Sequence, residues 1–210
     1  MGRITALRLG RNKKRINVFI DGSFSFAIGK EVAAGAGLQI GEGLSMDQIE
    51  ELKQVDSFQS CFEAALHYLG YRPRSEAEVR QRLFRRGFTD DAVNKVIVEL
   101  RERKVIDDAA FAQYWKDNRL TFSPRSRQLI KRELRQKGVA TETADEIVGD
   151  LNDETSAYEA GLKKARVLVT LDYSEFRSRL SGYLRRRGFS YEVISCVLAR
   201  LWQERQIASI

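Results

Sequence analysis

The chain has 210 residues, 43% hydrophobic and 31% charged, with a net charge of +7, which allows one ordinary domain or several small units and excludes the disordered class. No apolar run approaches the ~20 residues that a bilayer crossing needs, and the start Met1-Gly2-Arg3-Ile4-Thr5 lacks the apolar stretch of a secretory signal. The two cysteines, Cys61 and Cys196, lie far apart among apolar residues, which predicts two buried small hydrophobes in a cytoplasmic protein rather than a disulfide.

Residues 1–56 alternate with period two over 4–9, 15–20 and 24–28, and Gly10–Lys14 and Asp21-Gly22-Ser23 separate the runs. Asp-Gly between alternating runs is a hairpin signal, so a three-stranded antiparallel meander is predicted, with short helices near 30–36 and 46–54. Gly35, Gly37, Gly41 and Gly43 lack the spacing of a dinucleotide fingerprint, and no strand-to-helix turn leads into them, so a loop is predicted there.

Beyond residue 56 one pattern occurs three times, at 79–88, 130–139 and 180–189. Its glycines, Gly87, Gly138 and Gly188, are spaced 51 and 50 residues apart. Apolar residues four apart (Val79 and Leu83, Ile130 and Leu134, Leu180 and Leu184) mark one stripe of a helix, and the glycine supplies its left-handed stop. The register continues downstream through Val96, Ile147 and Val197, then Leu100, Leu151 and Leu201. A third helix begins at Thr89-Asp90-Asp91, Thr141-Glu142 and Ser190-Tyr191-Glu192, which offer caps and carboxylates to its positive end. Upstream lie further helical runs near 58–70, 108–121 and 153–169. Ser75, with Glu78 three residues on, reads as the cap of the middle helix; Ser123-Pro124 and Asp172-Tyr173-Ser174 take the same place in the other copies. The prediction is a mainly α chain: a β-rich extension over 1–56, then three-helix repeats over 57–106, 107–152 and 153–210, stacked in an elongated array around a shared core.

Candidate chemistry is sparse. His67 sits alone in an apolar helix, and no zinc set, phosphate loop, nucleophile elbow or Cys–His arrangement appears. Asp90-Asp91 and Asp107-Asp108 are explained by helix capping. No enzyme activity, metal or cofactor is predicted. Charge is more informative. Residues 75–86, 125–137 and 174–187 hold 15 Lys/Arg against 4 Asp/Glu, so these second helices carry +11 and the rest of the chain −4. Complementing the helix dipole accounts for Arg85, Arg86, Arg185 and Arg186 near helix ends. It does not account for Arg80, Arg125, Arg127, Lys131 or Arg177, which lie a turn or more upstream, so a basic ridge of these nine residues with Arg82, Arg132 and Arg135 is predicted to meet a polyanion or an acidic, repeating protein surface. Phe111, Trp115 and Trp202 read mainly as core, with Tyr114 at the same helical spacing; Phe84 and Tyr183 flank the stripe and are candidates for exposure.

The segment Val105-Ile106-Asp107-Asp108-Ala109-Ala110-Phe111-Ala112, with Ser123-Pro124-Arg125 and Leu134-Arg135-Gln136-Lys137-Gly138-Val139, resembles the most characteristic stretch of the RecX family. There an Asp-Asp/Phe-Ala helix leads into a Pro-led basic helix ending Lys-Gly. Ser123 stands where that family commonly has glycine, a departure that touches only the turn. The strand-rich start is similar to members that carry an N-terminal extension. The resemblance covers nearly the whole chain. It implies tandem three-helix repeats that bind the RecA filament along its groove, with single-stranded DNA as a secondary contact, acting as a monomer. It further implies inhibition of the filament's ATPase, strand exchange and co-protease activity, damping recombination and the SOS response. The residues alone leave two alternatives open: a direct nucleic-acid-binding helix-turn-helix protein, and a scaffold whose basic helices are merely solvated.

Overall fold

The computed structural model describes residues 2–208; Met1 of the extension and the last two positions of the third repeat lie outside them. The chain forms two compact units, Met1–Arg72 with Val79–Val105, and Pro73–Glu78 with Ile106–Ile210.

The first unit opens with strands β1 (Gly2–Leu9), β2 (Arg15–Ile20) and β3 (Ser23–Gly29), the predicted meander. Asp21 and Gly22 both have positive φ (49° and 86°), the backbone a two-residue hairpin turn needs. A fourth strand, β4 (Gly43–Leu44), was not predicted: two residues are too few to show a period. It pairs antiparallel with β1 and completes a sheet of order β3-β2-β1-β4. One sheet face buries Ile4, Val18, Phe26 and Ile28 against α1 (Lys30–Gly35) and the start of the helix that follows. That second helix, α2 (Met46–Leu69), joins the two predicted runs 46–54 and 58–70 into one. Ser45 and Gln48 form a reciprocal capping box at its start. The polar residue Asp56 does not break it, because its buried carboxylate accepts from Gly29 N and from Arg15 Nη2, each at 2.6 Å. Helices α3 (Glu76–Arg85) and α4 (Asp90–Glu102) follow, with Val79, Leu83, Val93, Val96, Ile97 and Leu100 fully buried.

The second unit holds α5 (Asp108–Phe122), α6 (Arg127–Gln136) and α7 (Thr141–Val148), then α8 (Asp153–Ala165), α9 (Tyr173–Arg186) and α10 (Tyr191–Ala208). Each triplet has its own core. Phe111, Ile130, Leu134, Val139 and Val148 fill the first, and Ala157, Phe176, Leu180, Leu184, Val197 and Leu201 the second.

Three local expectations are corrected. The cap of α6 is Ser126, whose Oγ accepts from Leu129 N at 3.2 Å, and not Ser123-Pro124. Ser126 is the residue in register with Ser75; the Ser-Pro pair imitates a helix start one turn too early. The cap position of α7 is Ala140, without a side-chain bond, so Thr141 is already inside the helix. Cys196 is exposed, and its thiol donates to Glu154 Oε1 at 3.1 Å. It falls between the buried positions Ile194, Val197, Leu198 and Leu201, and the ~100° turn per residue directs it outward. Cys61 is buried, which pushes its thiol up to about 11.

Two junctions of one design link successive repeats within this unit. At the first, Ser75 accepts from Glu78 N (3.2 Å) and donates from Oγ to Lys137 O (2.6 Å), while Glu76 N donates to Asp108 (2.8 Å). At the second, Ser126 N donates to Arg187 O (3.0 Å) and Arg127 N to Asp153 (2.6 Å). In both, the last turn of a second helix docks on the first turn of the second helix one repeat earlier, over a fully buried serine. The cation at the helix end completes each. Lys137 reaches Glu78 (2.8 Å), and Arg187 reaches Ser123 Oγ (2.7 Å) and Pro124 O (3.1 Å). Helix α9 begins a turn earlier than this register. Buried Phe176 occupies the position of Ser75 and Ser126, and Asp172 caps instead, accepting from Glu175 N at 2.9 Å.

Candidate partner-binding face of the second helices

Residues four apart share one side of a helix, so Arg127, Lys131 and Arg135 line one face of α6, and Arg177, Ser181 and Arg185 the corresponding face of α9. Lys131 ion-pairs with Asp145 of α7. In register with it, Arg80 of α3 donates from Nη1 to Asn94 of α4 at 2.6 Å. This position is therefore a strut from the second to the third helix of its own repeat. In α9 the strut is missing. Ser181 turns back to donate to the Arg177 carbonyl (2.6 Å), and a groove of about 250 Å³ opens between Arg177, Arg185 and Tyr191 over Phe189, Ile194 and Leu198.

The other predicted ridge residues separate into three groups. Arg82 lies over the Tyr68 ring at 5.6 Å, on the side facing α2. Arg125 turns inward and pairs with Glu133. Arg85, Arg86, Arg127, Arg132, Arg135, Arg177, Arg185 and Arg186 are exposed and form no ion pair among the described residues. Of the predicted ridge, the residues that face solvent in the second unit are thus Arg127, Arg132 and Arg135 on α6 and Arg177, Arg185 and Arg186 on α9.

Sequence reasoning missed the cluster that captures Arg125. Glu133 is 11% exposed and accepts from Trp115 Nε1 (2.8 Å) and Arg119 Nε (2.8 Å) as well as pairing with Arg125. Arg119 also lies 4.3 Å over the Trp115 ring, and Lys137 Nζ 4.2 Å over the same ring. Burial lowers both guanidinium pKa values, and the charges of Arg119 and Arg187 lower that of Arg125 further. Both stay protonated. The signal was present: Glu133 is the one carboxylate among six cations in 125–137. Of the aromatics, Phe111 is buried, Trp115 and Trp202 are half-buried, and Tyr114 and Phe84 are exposed. Tyr183 is half-buried beneath Arg187, whose guanidinium is 4.4 Å from the ring centre. Asp107 caps α5 through Ala109 N and Ala110 N, and Thr89 caps α4, as predicted. No group of three or more His, Cys, Asp and Glu that could hold a metal occurs among the described residues. No described helix is long and apolar enough to cross a membrane.

Four family models match the chain in order: the regulatory protein RecX N-terminal domain at residues 2–45, and the first, second and third three-helix domains of RecX at 61–100, 107–147 and 152–198. The regulatory protein RecX of Lactobacillus gasseri is 30% identical over 206 residues, covering 96% of this chain and 76% of the relative. That of Clostridium perfringens is 27% identical, covering 96% and 97%. A crystal structure of a regulatory protein RecX superposes with a TM-score of 0.66 at 22% identity over 94% of this chain and 98% of that one. RecX from Lactobacillus salivarius gives 0.59 at 23% over 70% and 97%. At these identities the two structures speak for the fold.

Proposed function

The chain belongs to the RecX family of regulatory proteins, and from that premise we propose that it binds the RecA–single-stranded DNA filament and inhibits its ATPase, strand exchange and co-protease activity. It thereby damps recombination and the SOS response. On this reading it acts as a cytoplasmic monomer, by binding alone, with no catalysed reaction and no cofactor. Filament subunits are the main contact and single-stranded DNA a secondary one. The repeats are taken as 57–106, 107–152 and 153–210 after an extension over 1–56.

One observation carries the reading. Arg127 and Arg135 on α6, and Arg177 and Arg185 on α9, occupy equivalent faces of two consecutive repeats, exposed and with guanidinium groups that form no ion pair among the described residues. Cations repeated in this way suit a surface that itself repeats, so each would meet the same acidic site on successive subunits of a polymer. A small protein that spans a subunit boundary can hinder the movements that hydrolysis requires.

The test is ATP hydrolysis by RecA on single-stranded DNA with substoichiometric amounts of this chain. Wild type is expected to suppress hydrolysis. The variant Arg127→Glu/Arg135→Glu/Arg177→Glu/Arg185→Glu should need about tenfold more protein or worse for the same effect. Arg125 and Lys131 are left untouched because their loss would disturb the Glu133 cluster and the Asp145 strut. An unchanged hydrolysis rate with wild type would reject the RecA assignment. Tight binding to bare duplex with a steep salt dependence would favour the direct DNA-binding alternative.

A further inference from the structure

The strongest unassigned feature is the solvent face of the N-terminal sheet. Residues 2–30 contain seven Lys/Arg and one Asp/Glu. Arg15 is neutralised by Asp56, whereas Arg11, Lys13 and Lys14 in the β1–β2 turn are exposed and form no ion pair among the described residues. Lys30 joins them, because its backbone N–H donates to Lys14 O at 3.0 Å. Concentrated, unpaired positive charge on a small turn attracts a polyanion.

Aromatic groups continue the same face. The buried side of β2 carries Ile16, Val18 and Ile20, so Asn17 and Phe19 alternate to the other, while Arg15 at the start of the strand reaches Asp56 of α2. Phe19 pairs across β1 with Ala6 and across β3 with Phe24. The Phe19 and Phe24 rings meet edge-on with centroids 5.9 Å apart, and the Arg8 guanidinium lies 5.0 Å from the Phe19 centroid. Phe24 is 59% exposed. A phenyl ring left open to water on a sheet has no role in the core beneath it. The register shift between Val18 and Phe19 is the local reason it points outward, since the odd residue puts Phe24 opposite Phe19 rather than in line with Phe26. The neighbours on this face are small or short, Ala6, Asn17 and Ala27, so Phe24 stays open to solvent while Phe19 is partly covered by Arg8 and by Phe24 itself.

We propose that this face, with Phe24 and Phe19 as the stacking surface, Arg8 between them and the turn, and Arg11, Lys13, Lys14 and Lys30 beyond, binds single-stranded nucleic acid. Phosphates lie along the turn and unpaired bases stack on the exposed ring. From Lys14 to Phe19 the strand rises roughly 16 Å, a length suited to a few nucleotides. A duplex fits poorly because its bases present no open π-face to a flat sheet. An acidic protein would answer the charge but leave Phe24 without a purpose. The site deepens the secondary single-stranded DNA contact of the filament reading and contains none of the cations that carry the filament contact.

The experiment uses the full chain without RecA. Binding of a fluorescein-labelled oligothymidine of about 20 nucleotides is followed by anisotropy, beside an abasic strand of equal length, a duplex and anionic phospholipid vesicles. Phe24→Ala should weaken oligothymidine binding between about fivefold and a hundredfold, with an unchanged circular dichroism spectrum. Arg11→Glu/Lys13→Glu/Lys14→Glu should flatten the log–log salt slope by about 2, at roughly 0.7 per phosphate. The abasic strand should bind more weakly than oligothymidine, and photo-crosslinks from an iodouracil-substituted strand should map to the peptide holding Phe19 and Phe24. The proposal is overturned if Phe24→Ala binds as wild type does, if the abasic strand binds equally well, if crosslinks fall only on the helical repeats, or if vesicles are preferred over the strand. None of these outcomes bears on ATPase inhibition, so the sheet site can fail while the filament contact stands, and the ATPase assay can fail while the sheet site stands.

Discussion

Three helices of this protein stop at a glycine in the same left-handed conformation, yet the surroundings of those glycines differ. At the end of α3, Gly87 (φ 85°) has nothing within 4 Å of where a Cβ would stand. At the end of α9, a Cβ on Gly188 (φ 86°) would lie 2.6 Å from Ser126 Oγ and 2.9 Å from Leu129 Cβ; at the end of α6, one on Gly138 (φ 83°) would overlap Ala77. One residue type thus does two jobs. Everywhere it lets the backbone turn, and at the two junctions it also lets the preceding repeat's helix come close.

The glycines give the largest test of that difference. Gly138→Ala and Gly188→Ala should each cost about 2–4 kcal/mol, the left-handed strain plus the displaced junction. Gly87→Ala should cost about 1–2 kcal/mol from the strain alone. Urea unfolding followed by circular dichroism measures all three, and equal losses would break the comparison. Next come the buried serines. Ser75→Ala is expected to lose about 1–2 kcal/mol and Ser126→Ala about 1, because Ser75 uses its hydroxyl for the junction bond whereas Ser126 uses its backbone N–H, which alanine keeps. The helix-end cations follow. Lys137→Ala and Arg187→Ala should cost about 1 kcal/mol each, while Arg86→Ala, at the open end, should stay within about 0.5 by the same assay. The smallest effect is local. Cys61 is buried with its thiol pushed up to about 11, so at pH 8 it should react with an alkylating reagent only when the first unit opens. Gly87→Ala should speed that labelling about tenfold, while Cys196, already exposed, should label at its wild-type rate.

Much of this architecture can be read from residue order. Three glycines at nearly constant spacing, each after an apolar pair four apart, suffice for the helical repeats, and Asp21-Gly22 suffices for the hairpin. What escaped depends on partners distant in sequence. Asp56 looks like a break between two helices until Arg15 and Gly29, 41 and 27 residues away, are seen to donate to its carboxylate. Ser123-Pro124 looks like a cap, and only the docked end of α9 explains why that role falls to Ser126. Arg80, Arg125 and Lys131 look like free charges, because side-chain pairing across helices leaves no periodic trace. The subtraction that gave −4 outside the second helices concealed the basic sheet, since the acidic residues of the first and third helices cancel it in the sum.

The turn by which α9 outreaches its counterparts has a consequence for protein engineering. A graft that docks on this helix as α6 and α9 dock on their predecessors would meet the phenyl ring of Phe176 where it needs a small hydroxyl. Duplicating the middle triplet in place creates no such conflict, since each new seam would again set a serine against a glycine. Lengthened versions should therefore be made from within, leaving the final triplet as terminus, and their added span would gauge how many protomers of a polymer one molecule can bridge.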